Sequence, residues 1–153
     1  MLKKYLIFTP LFCVFILPRL FGANVSCLVI ETGLPSEGPK SQYSTTWENN
    51  LMDVFFDTGH IVSNARMIRL EQKPAENFPG AAESDYQEAR ANGMEYFLIA
   101  IIEQNQTVYL RLFNTSSREM IKEQIYTYIK PKSVKEETDN IKRTINLIAA
   151  QLR

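Results

Sequence analysis

Tyr96-Phe97-Leu98-Ile99-Ala100-Ile101-Ile102 is apolar at every position. A strand with one wet face alternates apolar and polar residues, so an unbroken apolar run reads as a central strand buried on both faces. Such a strand needs cover on either side of its sheet. Just upstream, Ala82 to Asn92 reads as a helix closed by Gly93, with Ala82, Tyr86 and Ala89 inward. Downstream, Gln104-Asn105 makes a turn, Thr107 to Phe113 alternates, Asn114 to Ser117 turns again, and Met120 to Ile129 alternates once more. The run and these two segments predict an antiparallel meander.

Nearer the N-terminus, Val25 to Ile30 is a second apolar run, rich in β-branched residues. It leads into a loop carrying Gly33, Pro35, Gly38 and Pro39. Ser44, Thr45 and Thr46 offer N-cap side chains for a helix from about Thr46 to Thr58, with Trp47, Leu51, Val54 and Phe55 at helical spacing and Gly59 as its C-terminal cap. His60 to Ser63 and Met67 to Leu70 are short strand-like pieces, together one strand of the expected sheet, and Lys73 to Gly80 is a loop. After Pro131 a last helix carries Val134, Ile141, Ile145, Ile148 and Leu152 on one stripe. The fold class is therefore α/β, a mixed five-stranded sheet in the order β-α-β-α-β-β-β-α with the helices packed on it. Strand order 2-1-3-4-5 is the simplest arrangement that centres the all-apolar strand, and it puts the first two helices on opposite faces.

Lys3 and Lys4 precede an apolar run from Tyr5 to Leu17, which stops at Pro18-Arg19 and is followed by the small pair Gly22-Ala23. This is the layout of a secretory signal peptide, and the run is short of the roughly 20 apolar residues of a spanning helix. The reading is a signal peptide over residues 1–23 and a single α/β domain over residues 24–153, in a periplasmic or secreted protein. Membrane contact is expected only if the leader stays uncleaved or if Cys27, which follows Val25-Ser26, carries a lipid. With Cys13 in the leader, Cys27 is the one remaining thiol, and no internal disulfide is expected. The whole chain has 17 basic and 17 acidic residues; without Lys3, Lys4 and Arg19 the balance is 14 against 17, or about −3. That charge disfavours broad electrostatic binding of nucleic acid. The basic residues Lys130, Lys132, Lys135, Lys142, Arg143 and Arg153 are interleaved with Glu136, Glu137 and Asp139, as on an ordinary helix surface.

Chemistry-bearing motifs are sparse. Asp53 and Asp57 stand four apart on the first helix, a spacing open to a carboxylate pair, and His60 follows Gly59. No Glu-x-x-His element, cation loop, nucleophile elbow or phosphate-cradling glycine run accompanies them. No catalytic residue, cofactor or metal site is expected.

Leu51, Phe55, Gly59 and Val62, followed by Ala89, Gly93, Tyr96, Leu98 and Ile99, are two helices that end in glycine and pass into strands. In this the chain resembles the small α/β domain shared by the TolB N-terminal domain, the CsgG lipoprotein and the LpoB-type activators. The resemblance implies an exported, non-catalytic protein-binding or assembly module of a bacterial cell envelope, whose partner is another envelope protein or a second copy of itself. Two other readings stand beside it: a small periplasmic hydrolase using Asp53, Asp57 or His60, and a membrane-tethered accessory subunit held by an uncleaved N-terminal helix.

A binding face is expected on the last two strands. Val108, Leu110 and Leu112 alternate with Tyr109, Arg111 and Phe113, and an even-numbered hairpin turn would place Tyr126 and Tyr128 beside Tyr109 and Arg111. Tyr and Arg are enriched in protein interfaces, so Tyr109, Arg111, Phe113, Tyr126 and Tyr128 form the candidate face. A β-bulge in the turn would reverse the parity. The leader reading predicts that N-terminal sequencing of the exported protein finds Asn24 first; Met1 on protein extracted from membranes would defeat it.

Overall fold

Strand β1 (Asn24–Thr32) and strand β4 (Tyr96–Ile102) lie parallel at the centre of the sheet, in register from Val25 opposite Tyr96 to Glu31 opposite Ile102. The computed structural model describes residues 22–35 and 37–152, so the expected leader falls outside the described residues except for Gly22 and Ala23. The remaining elements are α1 (Gln42–Asp57), β2 (Ile61–Asn64), β3 (Ile68–Leu70), α2 (Glu83–Ala91), β5 (Val108–Asn114), β6 (Met120–Tyr126) and α3 (Val134–Ala149). The sheet order is β2-β1-β4-β5-β6, with β3 also paired to β1, so the mixed α/β sheet has six strands. The difference from five comes from one interruption. β2 pairs with Asn24–Cys27 and β3 with Ile30–Thr32, both parallel, and residues 65–67 between them leave the ladder once Ala65 N–H has bonded Cys27 O at 2.8 Å.

Because β1 and β4 are apolar on both faces, the sheet divides the core into two layers. One face carries Val25, Cys27, Val29, Leu98, Ala100, Val108, Leu110 and Leu112 under Trp47, Leu51 and Phe55 of α1 and Ile141, Ile145 and Ile148 of α3. The other carries Leu28, Ile30, Phe97, Ile99, Ile101 and Phe113 under Tyr86 and Ala89 of α2, with Ala82. The first two helices thus cover opposite faces, as expected.

Helix ends follow capping chemistry. α1 starts before Thr46, because the Ser41 hydroxyl accepts Ser44 N–H at 3.0 Å. Thr45 and Thr46 instead donate their hydroxyls back to the Ser41 and Gln42 carbonyls from within the first turn. Gly59 (φ +86) and Gly93 (φ +74) supply the left-handed residue that ends α1 and α2. His60 N–H then reaches Phe55 O and Met94 N–H reaches Ala89 O, the long bond of a Schellman turn in each case. In α3 the buried stripe begins two turns late, at Ile141. Ile141, Ile145 and Ile148 are buried, but Val134, in the first turn, is 80% exposed.

Phe55→Ala and Ile145→Ala are each expected to cost about 2–5 kcal/mol in urea unfolding, as large-to-small core changes do. Val134→Ala is expected within about 0.5 kcal/mol of the parent.

Candidate functional site

The residues proposed for hydrolysis are not gathered. Asp53 points out of α1 toward Lys142 of α3 (3.6 Å), and Asp57 is exposed on the same helix. His60 turns inward: its ring lies edge-on to Phe55 and its Nδ1 accepts Ala23 N–H at 3.0 Å. Cys27 is buried in the middle of β1, and burial pushes its thiol up to about 12. A lipid on Cys27 does not fit this placement, because the sulfur sits among core side chains and a chain beginning there would lose most of the β1–β2 pairing. Among the described residues no group of three or more His, Cys, Asp or Glu is placed to hold a metal ion, and no helix is long and apolar enough to cross a membrane.

The five residues of the expected binding face separate onto the two sides of the sheet. β6 pairs Tyr126 with Val108 and Ile125 with Tyr109, and the register shifts by one between Leu112 and Phe113. That bulge reverses the parity carried through the hairpin. Tyr126 therefore packs under α1, its ring 5.1 Å from Trp47, and Tyr128 lies on the same side against Tyr43. Tyr109, Arg111 and Phe113 face the α2 side, where the 73–80 loop covers them. Lys73 Nζ sits 3.5 Å over the Tyr109 ring, and Phe78 packs edge-on to Phe113. Arg111 donates to Glu123 (2.7 Å) and to the carbonyls of Glu76 and Asn77.

Sequence reasoning did not single out Glu31. β1 and β4 are the strands between which the chain's direction of travel across the sheet reverses, and open α/β sheets take ligands beyond the carboxyl ends of such strands. A cleft of about 380 Å³ lies there, lined by Glu31, Thr32, Ser41, Tyr43 and Glu103 among others. The N-terminus of α1 opens toward it, the usual seat of a phosphate. Here the protein supplies its own anion. Glu31, 2% exposed, accepts Ser41 N–H at 3.1 Å and Arg69 Nε at 2.7 Å, Arg69 being its register partner on β3. Burial works to raise this carboxyl, but hydrogen bonds from Ser41, Ser44 and Arg69 outweigh it and hold the pKa below the ordinary 4.5. Glu48 of α1 is held low in the same sense, its burial overcome by Lys40 (2.9 Å) and Asn64. With Glu31 anionic at the helix end, a phosphate there meets a like charge.

What the fold leaves unsatisfied is an edge. β6 pairs with β5 on one side only, and it exposes Met120, Ile121 and Ile125, each 40–48% accessible, with Ile129 beyond it at 77%. Of the eight large apolar side chains exposed among the described residues, these four and Val134 fall within residues 120–134. At the C-terminal end of β6 a cleft of about 210 Å³ separates Tyr126, Thr127 and Ile129 from Asn140, Arg143 and Thr144 of α3.

No protein-family model and no curated protein sequence matches this chain. Similar solved structures include the PelC dodecamer from Paraburkholderia phytofirmans, at 16% identity and TM-score 0.46, covering 88% of this chain and 91% of that one. The LpoB C-terminal domain from Salmonella enterica is similar at 12% identity and TM-score 0.47, covering 73% and 87%. TolB from Acinetobacter baumannii is similar at 13% identity and TM-score 0.41 over 83% of this chain but 26% of TolB. TolB and LpoB are two of the proteins whose domain the sequence resembles.

Arg69→Met strands the buried Glu31 carboxylate and is expected to cost about 3–5 kcal/mol in urea unfolding near neutral pH. A depressed carboxyl contributes stability above its unfolded value, and that contribution disappears as pH falls through its folded value. The gap between parent and variant is therefore expected to narrow as pH drops below 4.5. A gap independent of pH would show that Glu31 and Arg69 are not an ion pair in solution.

Proposed function

We propose that this chain is an exported, non-catalytic binding or assembly module of a bacterial cell envelope, working through a surface. The observation that carries the reading is the free edge of β6 with its apolar side chains. A strand paired on one side only offers backbone donors and acceptors to another chain. The self-supplied Glu31 carboxylate at the switch point supports the same reading, since it fills the seat that a nucleotide enzyme keeps for substrate phosphate. The leader layout of residues 1–23 and the resemblance to the TolB and LpoB domain support export and the envelope; the partner is another envelope protein or a second copy.

A photocrosslinking amino acid at Ile125 of the full chain, exported in a bacterium, is expected to give a discrete crosslinked species. The same group at Gln87, exposed on α2, is expected to give none. Absence of a product at Ile125 overturns the reading. So does a reproducible turnover that disappears in Asp53→Asn or His60→Ala, which would make the chain a hydrolase.

A further inference from the structure

Going beyond the reading of β6 as a working surface, we propose that the cleft between α2 and the break separating β2 from β3 binds a small zwitterion, a free amino acid or a dipeptide. Its ammonium group lies against Asp85 and Glu88, and its carboxylate against Arg66.

The first argument is a buried hydroxyl. Val25 and Cys27 belong to the α1 side of the core, so alternation along β1 turns Ser26 to the α2 side, where it is 5% exposed. It lines a cleft of about 350 Å³, and its hydroxyl makes no hydrogen bond among the described residues. Ser63, its register partner on β2, lines the same cleft and reaches only Met94 Sδ at 4.0 Å, a weak acceptor. A hydroxyl buried this far without a partner costs stability, and a polar ligand group above it removes that cost.

The second argument is charge. Asp85 and Glu88 stand three apart on α2, share a face of it and line the cleft. Neither has a basic partner among the described residues, whereas the buried Glu31 and Glu48 are answered by Arg69 and Lys40. Burial pushes the Asp85 carboxyl above its ordinary 3.8, and the neighbouring Glu88 adds to the rise. A cation beside the two carboxylates therefore stabilises their charged forms. Arg66 comes from residues 65–67, where the chain leaves the ladder to β1, and it lines the cleft with no ion pair of its own among the described residues. Two carboxylates and one guanidinium thus share a cleft without pairing to one another. A ligand with one charge of each sign satisfies both sets by charge-assisted hydrogen bonds.

The third argument is what the same groups disfavour. A phosphate ligand meets two carboxylates. A hard metal ion takes about six or more oxygen ligands, and among the described residues no group of three His, Cys, Asp or Glu is placed to hold one. At about 350 Å³ the cleft is at the small end of ligand sites, which run from about 300 to 1,000 Å³. That size suits an amino acid or a dipeptide better than a cofactor.

The test is titration of the exported full chain, labelled with nitrogen-15, with L-alanine and with L-alanyl-L-alanine, followed by amide chemical shifts. Saturable shifts at Ser26, Ser63 and Asp85 are expected with a Kd of about millimolar or tighter for at least one of the two, and the tighter of them tells a free amino acid from a peptide. L-Alaninamide lacks the carboxylate and N-acetyl-L-alanine lacks the ammonium; each is expected to bind about tenfold or more weakly than L-alanine. Asp85→Asn and Arg66→Gln are each expected to weaken binding by a similar factor while the melting transition stays cooperative. Ser26→Ala is expected to weaken it about two- to tenfold and to leave the melting temperature unchanged or raised, an effect that a hydroxyl held by the protein itself would not give. Absence of saturation by either zwitterion up to about 50 mM overturns the proposal, as does equal binding of a blocked analogue or indifference to both Asp85→Asn and Arg66→Gln. The cleft lies at the opposite side of the sheet from β6, so such a result leaves the crosslink expected at Ile125, and the reading that rests on it, untouched.

Discussion

Two adjacent strands, β1 and β4, are apolar on both faces, and the rest of the molecule follows from having to keep water off both. A sheet with one wet side is served by one helical layer, but this one requires α1 and α3 above and α2 with the Phe78 loop below. Each half of the core is therefore thin. A single large side chain such as Trp47 or Phe97 fills much of the gap between the sheet and its cover, and truncating it leaves no second layer to collapse inward.

Burial on both sides also dictates how polar groups are handled at the strand ends. Glu31 closes β1 at the point where backbone pairing gives out and a helix begins. It is answered by Ser41 N–H from the helix, Arg69 from the neighbouring strand and, through Arg69, the carbonyls of Glu37 and Pro39 in the connecting loop. The knot ties β1, β3, the loop and α1 at one end of the sheet. At the opposite end His60 and the Schellman turn after α1 do comparable work against Ala23 and Gly22. Both ends of β1 are thus fixed by side chains of the β-α-β unit it starts.

Much of this was legible in the sequence because burial and turn chemistry leave local marks. The run from Tyr96 to Ile102 placed the central strand, Gly59 and Gly93 placed two helix ends, and Ile141, Ile145 and Ile148 placed the inner face of the last helix. Where the reading slipped, the deciding contact was distant in sequence. Ser41 rather than Thr46 begins α1, its hydroxyl accepting Ser44 N–H while its own N–H meets Glu31, ten residues upstream. The Tyr126 ring lies inward because one extra residue bulges β6. The polarity of Ile121, Glu123 and Ile125 against Lys122, Gln124 and Tyr126 is too evenly mixed to reveal which set faces the core. The binding face read from Tyr109 and Tyr126 shared the error, since it depended on that parity. Glu31 left no mark beyond one acidic residue at the end of an apolar strand.

The break between β2 and β3 has a consequence for how far a sheet of this kind can grow. A sheet with two long open edges can add copies at either side without limit, which is the geometry of a fibre. Here one border is cut into pieces of four and three residues by Ala65–Met67, where the ladder to β1 lapses, while the other is a single seven-residue strand with one bulge, at Ile121. Only one side offers a lengthy template. Growth through strand pairing therefore ends once that side is used, and the molecule is guarded against open-ended polymerisation by a three-residue lapse on the margin farthest from β6.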